Sequence, residues 1–383
     1  MSQAESLRVG LFYPNCKSVH TMSPAVIAKV PDLLDYDTHL KLARAAEEAR
    51  LDYAFMADAW GSMGPKSRDM GYIDPALLTP MLANLVLAAT KHLRCITTIH
   101  TTLFHPLLVA RVGGMLDAMS HGRWGINIVT GSGFGETLDK RLFGSLSSEQ
   151  RYERAGEVME ILQKVWSGDG EIKHEGKYFD LDGWLVGPHP VQKPLPLIVS
   201  AGASDAGREF AGQYADYIFM PGRTPLEELQ KRFGDIKRVA VSHGRPADAV
   251  KLQMHVSVVV RKTKKEAEEH SNWIAETVDL EGVAEYLNGV RTGISTYDDI
   301  YRSLGELQMR QIGSVAGARK IHGDADQVAD HIELLQKKFG CDGIAVTFPV
   351  WNPDEVKNFG ELVLPRLQAK GIWTAPETRG YGW

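Results

Sequence analysis

A (β/α)8 TIM barrel with insertions is the fold class that the sequence predicts, and three observations predict it. The strand candidates are short, rich in β-branched residues and apolar on both faces, as in Gly125-Ile126-Asn127-Ile128-Val129. Strands of that kind belong to a parallel sheet covered by helices. Each candidate is followed by a segment with helical spacing, and the alternation recurs eight times along the chain. Arg8 to Tyr13 reads as the first strand, ended by Pro14. Tyr36 to Arg50 turns Leu40, Leu42, Ala43 and Ala46 to one side and its charges to the other, the spacing of an amphipathic helix. Asp52 to Ala57 is the second strand, and Asp74-Pro75 reads as the N-cap and first turn of a helix reaching Thr90. Leu93 to Ile99 (strand), Pro106 to Met119 (helix), the Asn127 strand and Arg151 to Trp166 (helix) follow. Leu197 to Ser200, Tyr217 to Met220, Lys251 to Val260 and Gly343 to Phe348 complete the strands. The remaining helices are Asp205 to Tyr214, Leu226 to Ser242, Asp326 to Phe339 and Asp354 to Lys370.

The whole chain, 1–383, reads as a single barrel domain interrupted at about 171–196 and 266–324. The first interruption carries four prolines and has the look of a hairpin. The second is partly helical and lies on the face where barrels keep their active sites, so it is expected to act as a lid. With 44% hydrophobic residues and 24% charged ones the composition is that of a globular protein with a large core. A net charge of −5 excludes the basic footprint of a nucleic-acid binder. Cys16, Cys95 and Cys341 lie far apart, without metal-type spacing, and read as buried thiols in a reducing compartment. MSQAESLRVGLFYP has no charged region followed by an apolar one, and no apolar run approaches about 18 residues, so a cytoplasmic protein without a membrane span is expected.

The chemistry concentrates in His121 to Glu136, HGRWGINIVTGSGFGE. Asn127 interrupts a doubly buried apolar strand, where an unpaired amide costs on the order of 1–3 kcal/mol. Either a core network pairs it or a ligand at the strand end does. The turn Thr130-Gly131-Ser132-Gly133 is either a tight connection shaped by glycines or a place where a ligand meets the backbone. Ser200-Ala201-Gly202-Ala203-Ser204-Asp205 ends one strand and opens a helix, the position that suits a phosphate. Ser204 or Asp205 could equally be an N-cap alone, and Arg151 a surface charge. GSGFGE lacks the spacing of a dinucleotide fingerprint, and no His/Asp/Glu cluster has metal spacing.

GRWGINIVTGSG, then Glu136, then Glu149-Gln150-Arg151-Tyr152-Glu153-Arg154, then GKYFDLDG and PHPVQKPLPLIVSAGASDAGREFAGQYADY resemble, in order, the bacterial luciferase-like superfamily. Within it the match is to the two-component flavin monooxygenases that act on pyrimidines, sulfones and nitrilotriacetate. The resemblance spans Arg8 to Lys370. It implies reduced FMN as cofactor, with Ser204 on the phosphate and Arg151 and Tyr152 beside it. It also implies that Ala57, Asp58 and Glu136 contact the flavin, and that Thr98 and Asn127 hold dioxygen against the ring. The activity it implies is oxygenation or cleavage of a small organic substrate at a heterocyclic amide, C–N or C–S bond. The partners would be O2, a separate NAD(P)H:flavin reductase and a second or fourth copy of the chain. Other readings are a flavin-degrading lyase, a deazaflavin-dependent oxidoreductase and a non-catalytic flavin-binding protein.

Two departures from the family pattern bear on the substrate. Ser132 stands where the pyrimidine enzymes carry tryptophan, which widens the pocket. Gln253 stands where the alkanesulfonate enzymes carry arginine two residues before a histidine, here His255, so the fixed cation for a sulfonate is gone. His100 and His105 add imidazoles near the pocket mouth, and Arg291, Arg302 and Arg310 of the long insertion are candidates for anchoring an anionic group.

Overall fold

The structure, a computed structural model, describes residues 6–131, 146–202, 204–290 and 297–383. Eight parallel strands close into a barrel: β1 (Arg8–Phe12), β2 (Tyr53–Met56), β3 (Arg94–His100), β4 (Trp124–Val129), β7 (Leu197–Ser200), β8 (Tyr217–Met220), β9 (Lys251–Val260) and β11 (Gly343–Thr347). Each pairs with the next in that order, β8 pairs with β9, β9 with β11, and β11 closes the ring on β1. All eight are the strands that the sequence pattern marks. The other strands lie outside the ring. β5 (Glu171–Glu175) and β6 (Asp180–Trp184) form an antiparallel hairpin, and β10 (Arg319–Gly323) joins the upper part of β9. β9 is ten residues long because one edge serves two partners, β8 over 251–254 and β10 over 256–260.

Alternation along the strands sorts the side chains into two environments. Ile126, Ile128, Ile198 and Ile218 point outward and join the large cluster under the helices. Phe12, Tyr53, Phe55, Ile96, Leu197, Val199 and Ala345 form a separate cluster inside the ring. Tyr53 crosses the lower part of the barrel and donates from its hydroxyl to the Ile344 carbonyl at 2.7 Å. It fits because β1 offers glycine there: a Cβ on Gly10 would lie 2.1 Å from the Tyr53 ring. Below it Trp383 lays its indole against the Arg94 guanidinium, 4.8 Å from the ring centre, and donates to Gln192 Oε1 at 2.8 Å.

The helices start where polar caps sit. Asp35 caps Tyr36–Glu48, a full capping box of Ser147 and Gln150 opens Ser148–Ser167, and Ser204 caps Asp205–Tyr214. The helix expected from Arg151 begins a turn earlier, at Ser148, and another start is displaced further. The helix after β2 begins at Thr79, with Pro80 in its first turn, and not at Asp74-Pro75. The segment 74–77 stays non-helical because tertiary pairing claims it: Ala76 bridges Cys16, and Leu77 N–H donates to the Asn15 carbonyl at 2.7 Å. The last helix divides at Val363 into Pro353–Leu362 and Leu364–Ala369, where Pro365 starts a fresh turn. The long interruption is more helical than expected, with Lys264–Glu276, Leu280–Val290 and Tyr297–Val315 leading into β10. Among the described residues, no helix is long and apolar enough to cross a membrane.

Gly10→Ala is expected to destabilise the protein by about 2–3 kcal/mol in urea denaturation, the cost of overpacking a closed core. Tyr53→Ala in the same chain should recover part of that loss, a coupling that two independent sites would not show.

Candidate active site

The inward positions nearest the carboxyl ends of the strands make the floor of the barrel mouth. On one side they are small or polar: Ala57 beyond β2, Thr98 and His100 on β3, Asn127 on β4. On the other they are rings: Phe12 on β1, Phe219 on β8, His255 on β9. Register explains the polar side, since Thr98 stands opposite Asn127 across the β3–β4 ladder. Asn127 Nδ2 donates to Thr98 Oγ1 at 2.9 Å, and both residues are almost fully buried, at 3% and 2% exposure. The Thr98 carbonyl in turn accepts from Thr79 Oγ1 at 2.9 Å, which ties the pair to the helix that follows β2. Asn127 Oδ1, however, has no partner among the described residues. A core network therefore satisfies the donor half of this amide only.

Next to the pair, His100 Nε2 donates to the Asp58 carbonyl at 3.3 Å, and burial lowers the imidazole to about 4, so the ring is neutral at ordinary pH. Burial also raises the Asp58 carboxyl to about 7, against hydrogen bonds from Ala59 and Trp60 that pull the other way. One of its oxygens, Oδ2, is unpartnered among the described residues. Asp58 thus sits at the mouth as an acid that changes charge near neutrality.

A second cradle lies where β4 and β7 end. Ser204 Oγ accepts from Gly207 N–H at 3.1 Å at the helix start. The Tyr152 hydroxyl reaches the side chains of both Thr130 and Ser204. Gly202 is required there, since a Cβ on it would lie 2.5 Å from the Tyr152 oxygen and 2.7 Å from Gly207 Cα. Arg151 donates to the Leu146 carbonyl at 3.1 Å and keeps a buried Nε without a partner among the described residues. A helix N-terminus, two hydroxyls and a guanidinium at one strand end suit a phosphate.

Across the mouth is a cavity of about 270 Å³ whose wall is largely apolar and includes the rings of Phe12, His20, Tyr72, Phe219, His255 and Tyr286. His255 stacks on Phe12, with centroids 4.1 Å apart and planes 15° from parallel, and meets His20 edge-on at 4.2 Å. Ala57 and Asp58 border the same cavity, so it adjoins the polar side of the mouth.

The chain matches the luciferase-like monooxygenase family over residues 7–341. It belongs to that family. It is 30% identical to the long-chain alkane monooxygenase of Geobacillus thermodenitrificans, over 90% of this chain and 86% of that one. It is 28% identical to the FMNH2-dependent dimethylsulfone monooxygenase of Pseudomonas putida, over 87% of this chain and 88% of that one. Among solved structures, a riboflavin lyase with modified FMN and riboflavin superimposes with a TM-score of 0.84 at 26% identity, covering 99% of this chain and 94% of that one. A crystal structure of a long-chain alkane monooxygenase superimposes with a TM-score of 0.85 at 27% identity, covering 97% and 93%. This family member is a flavin-dependent monooxygenase.

The structure brings Thr98, Asn127, Ala57 and Asp58 to one side of the mouth, and Tyr152, Arg151 and Ser204 to the adjoining strand ends. Glu136 and Ser132 lie outside the described residues, as does Arg291. Arg310 is engaged elsewhere: it pairs with Glu306 at 2.7 Å and donates to the Glu276 carbonyl at 2.6 Å, closing the end of a helix. It is not an anchor for a ligand. His105 is an N-cap, accepting from Leu107 N–H at 3.3 Å. Sequence reasoning missed the ring-lined cavity. Strand parity could have found Phe12 and Phe219, which share the inward phase of Asn127, whereas His20, Tyr72 and Tyr286 arrive from loops and the insertion with no periodic signal.

The raised Asp58 carboxyl gives a pH prediction. The folded protein holds this proton to about pH 7, whereas an unfolded chain releases it near 3.8, so stability falls as pH rises through that window. Asp58→Asn cannot ionise. Its melting temperature relative to wild type should therefore climb by a few degrees between pH 5 and pH 8 in thermal melts, with no further gain above pH 8.

Proposed function

We propose that the protein is an FMN-dependent monooxygenase that takes reduced flavin from a separate NAD(P)H:flavin reductase and uses O2 to oxygenate a small organic substrate. Reduced FMN, when bound, supplies the two electrons that let one oxygen atom enter the substrate and the other leave as water. The observation that carries this reading is Asn127 Oδ1, a buried acceptor without a partner among the described residues, on an inward-facing residue of β4 near the phosphate cradle. A flavin ring edge offers the N–H that such an oxygen needs. In this reading Ser204, Tyr152 and Arg151 bind the phosphate, Ala57 and Asp58 border the ring, and Glu136 lies by the ribityl chain or ring.

The chain's own groups have distinct tasks. Asn127 orients the ring through Oδ1 while Thr98, held by Asn127 Nδ2, turns its hydroxyl to the oxygen side. Neutral His100 keeps its proton on Nε2, against the Asp58 carbonyl, and fixes the loop that carries Asp58. The long insertion, which brings Tyr286 to the cavity wall, is the lid that excludes water once flavin is seated.

Two variants test the assignment. Ser204→Ala should weaken reduced FMN about tenfold or more, the loss expected when a hydrogen bond to a charged group is removed, and leave riboflavin affinity within about threefold. Equal losses for FMN and riboflavin would move the phosphate away from Ser204. Asn127→Ala should keep FMN within about tenfold of wild type yet abolish the delay in the return of oxidised-flavin absorbance after mixing with oxygen. An unchanged delay would leave Asn127 a structural residue only.

A further inference from the structure

We propose that Glu285 is a positioning residue for the flavin site: its carboxylate reaches from the insertion to clasp the chain that follows Ala57 and Asp58, and the opening of that clasp sets the rate at which flavin leaves the mouth. This rests on the flavin lying against Ala57 and Asp58. Glu285 Oε1 accepts from Ser67 N–H at 2.7 Å, and Oε2 accepts from Lys66 N–H at 3.1 Å across 219 residues of sequence. Both donors belong to the first turn of Pro65–Met70, whose N-cap, Gly64, has no side chain to satisfy them. A carboxylate on two backbone N–H groups makes charge-assisted bonds, stronger than neutral ones. Glycine at 64 gives the carboxylate its room, since a Cβ there would lie 2.4 Å from Glu285 Cδ.

The clasp acts within a body distinct from the barrel. Met22 after β1, Tyr72 after β2 and Val283, Tyr286, Leu287 and Met309 of the insertion share a hydrophobic cluster separate from the one under the barrel helices. Backbone bonds knit the same three segments. Ile73 N–H donates to the Ser18 carbonyl at 2.9 Å, and Met22 N–H donates to the Gly313 carbonyl at 2.7 Å. Segments with a core of their own open and close as a unit. Glu285 grips this unit at the edge that runs back into the mouth. The connection is short: Ser62 Oγ donates to the Gly64 carbonyl at 3.1 Å and folds the turn, and His100 Nε2 holds the Asp58 carbonyl at 3.3 Å.

Position separates Glu285 from the acid nearest to it. Glu281, one turn earlier on the same helix, pairs with Lys66 Nζ at 2.5 Å, but both side chains are more than half exposed. A surface pair of that kind contributes little. Glu285 bonds backbone instead, and its neighbour Tyr286 lines the mouth cavity together with Tyr72, Ala57 and Asp58. Opening the clasp therefore moves a wall of the mouth, whereas breaking the Lys66–Glu281 pair does not.

The rate of FMN release from the loaded protein, followed by flavin fluorescence after dilution, and amide hydrogen exchange together test this. Glu285→Ala should speed both FMN release and exchange at Lys66 and Ser67 about tenfold or more, the loss expected for hydrogen bonds to a charged group. Amides of the barrel strands should keep their wild-type rates. Glu285→Gln, which retains one acceptor oxygen, should fall between Glu285→Ala and wild type. Glu281→Gln should stay within about twofold of wild type on both readouts. Gly64→Ala displaces the carboxylate, so it should speed release as Glu285→Ala does and add nothing to it in the double variant. Should Glu285→Ala fail to fold, Glu285→Gln and Gly64→Ala carry the same test. Faster exchange at Lys66 and Ser67 with unchanged FMN release would leave Glu285 a structural residue and overturn the proposal. An equal effect of Glu281→Gln, or a Gly64→Ala effect that adds to that of Glu285→Ala, would overturn it too. Failure of the flavin reading is told apart beforehand, by a wild-type protein indifferent to FMN.

Discussion

Everything at the barrel mouth depends on a two-residue alternation inside a closed ring of strands. Closure leaves each strand one inward side chain at the level where the mouth opens, and that side chain faces its counterparts across a few ångströms. The phase is set lower down, where Tyr53 fills the space left by Gly10 and bonds the Ile344 carbonyl. With that layer in place, Phe12, Phe55, Thr98, Asn127, Phe219 and His255 have nowhere else to point. A one-residue slip in β4 would exchange Asn127 for Ile126 or Ile128 and replace the polar floor with carbon.

The distribution of satisfied and unsatisfied polar groups follows the same line. Two carboxylates away from the mouth are fully engaged: Asp117, buried, accepts from Val191 and Gln192 N–H at 2.7 and 3.1 Å, and Glu157 accepts from the backbone N–H of Lys177, Tyr178 and Phe179. At the mouth, Asn127 Oδ1, Asp58 Oδ2, His100 Nδ1 and His255 Nε2 stand without partners among the described residues. Each unpaired group costs about 1–3 kcal/mol, and a concentration of them in one place marks a surface built for a ligand. The polar half of the mouth, with a helix N-terminus next to it, suits a large anionic ring compound.

The strands were legible because a doubly buried parallel strand writes an unbroken apolar run into the sequence, and the one polar residue in such a run, Asn127, pointed to the site. Ser204 was legible as a helix start after a strand, and Tyr152 only through the family resemblance. What sequence could not give depends on tertiary pairing. Asp74-Pro75 has local helix-start chemistry, yet the bridge between Ala76 and Cys16 keeps that segment out of the helix. Arg310 looked available until the end of a neighbouring helix engaged it. The cavity wall combines strand positions with His20, Tyr72 and Tyr286, which lie far apart in sequence and meet only through the closure of the ring and the packing of the insertion on it.

The account is tested most directly by a crystal structure of the protein with FMN bound. The flavin phosphate should lie on the helix N-terminus at Ser204, with the ring edge within hydrogen-bonding distance of Asn127 Oδ1 and the cavity beside His255 still open. A ring lying in the His20–His255 cavity, or a phosphate remote from Ser204 with Asn127 Oδ1 still unpaired, would contradict it.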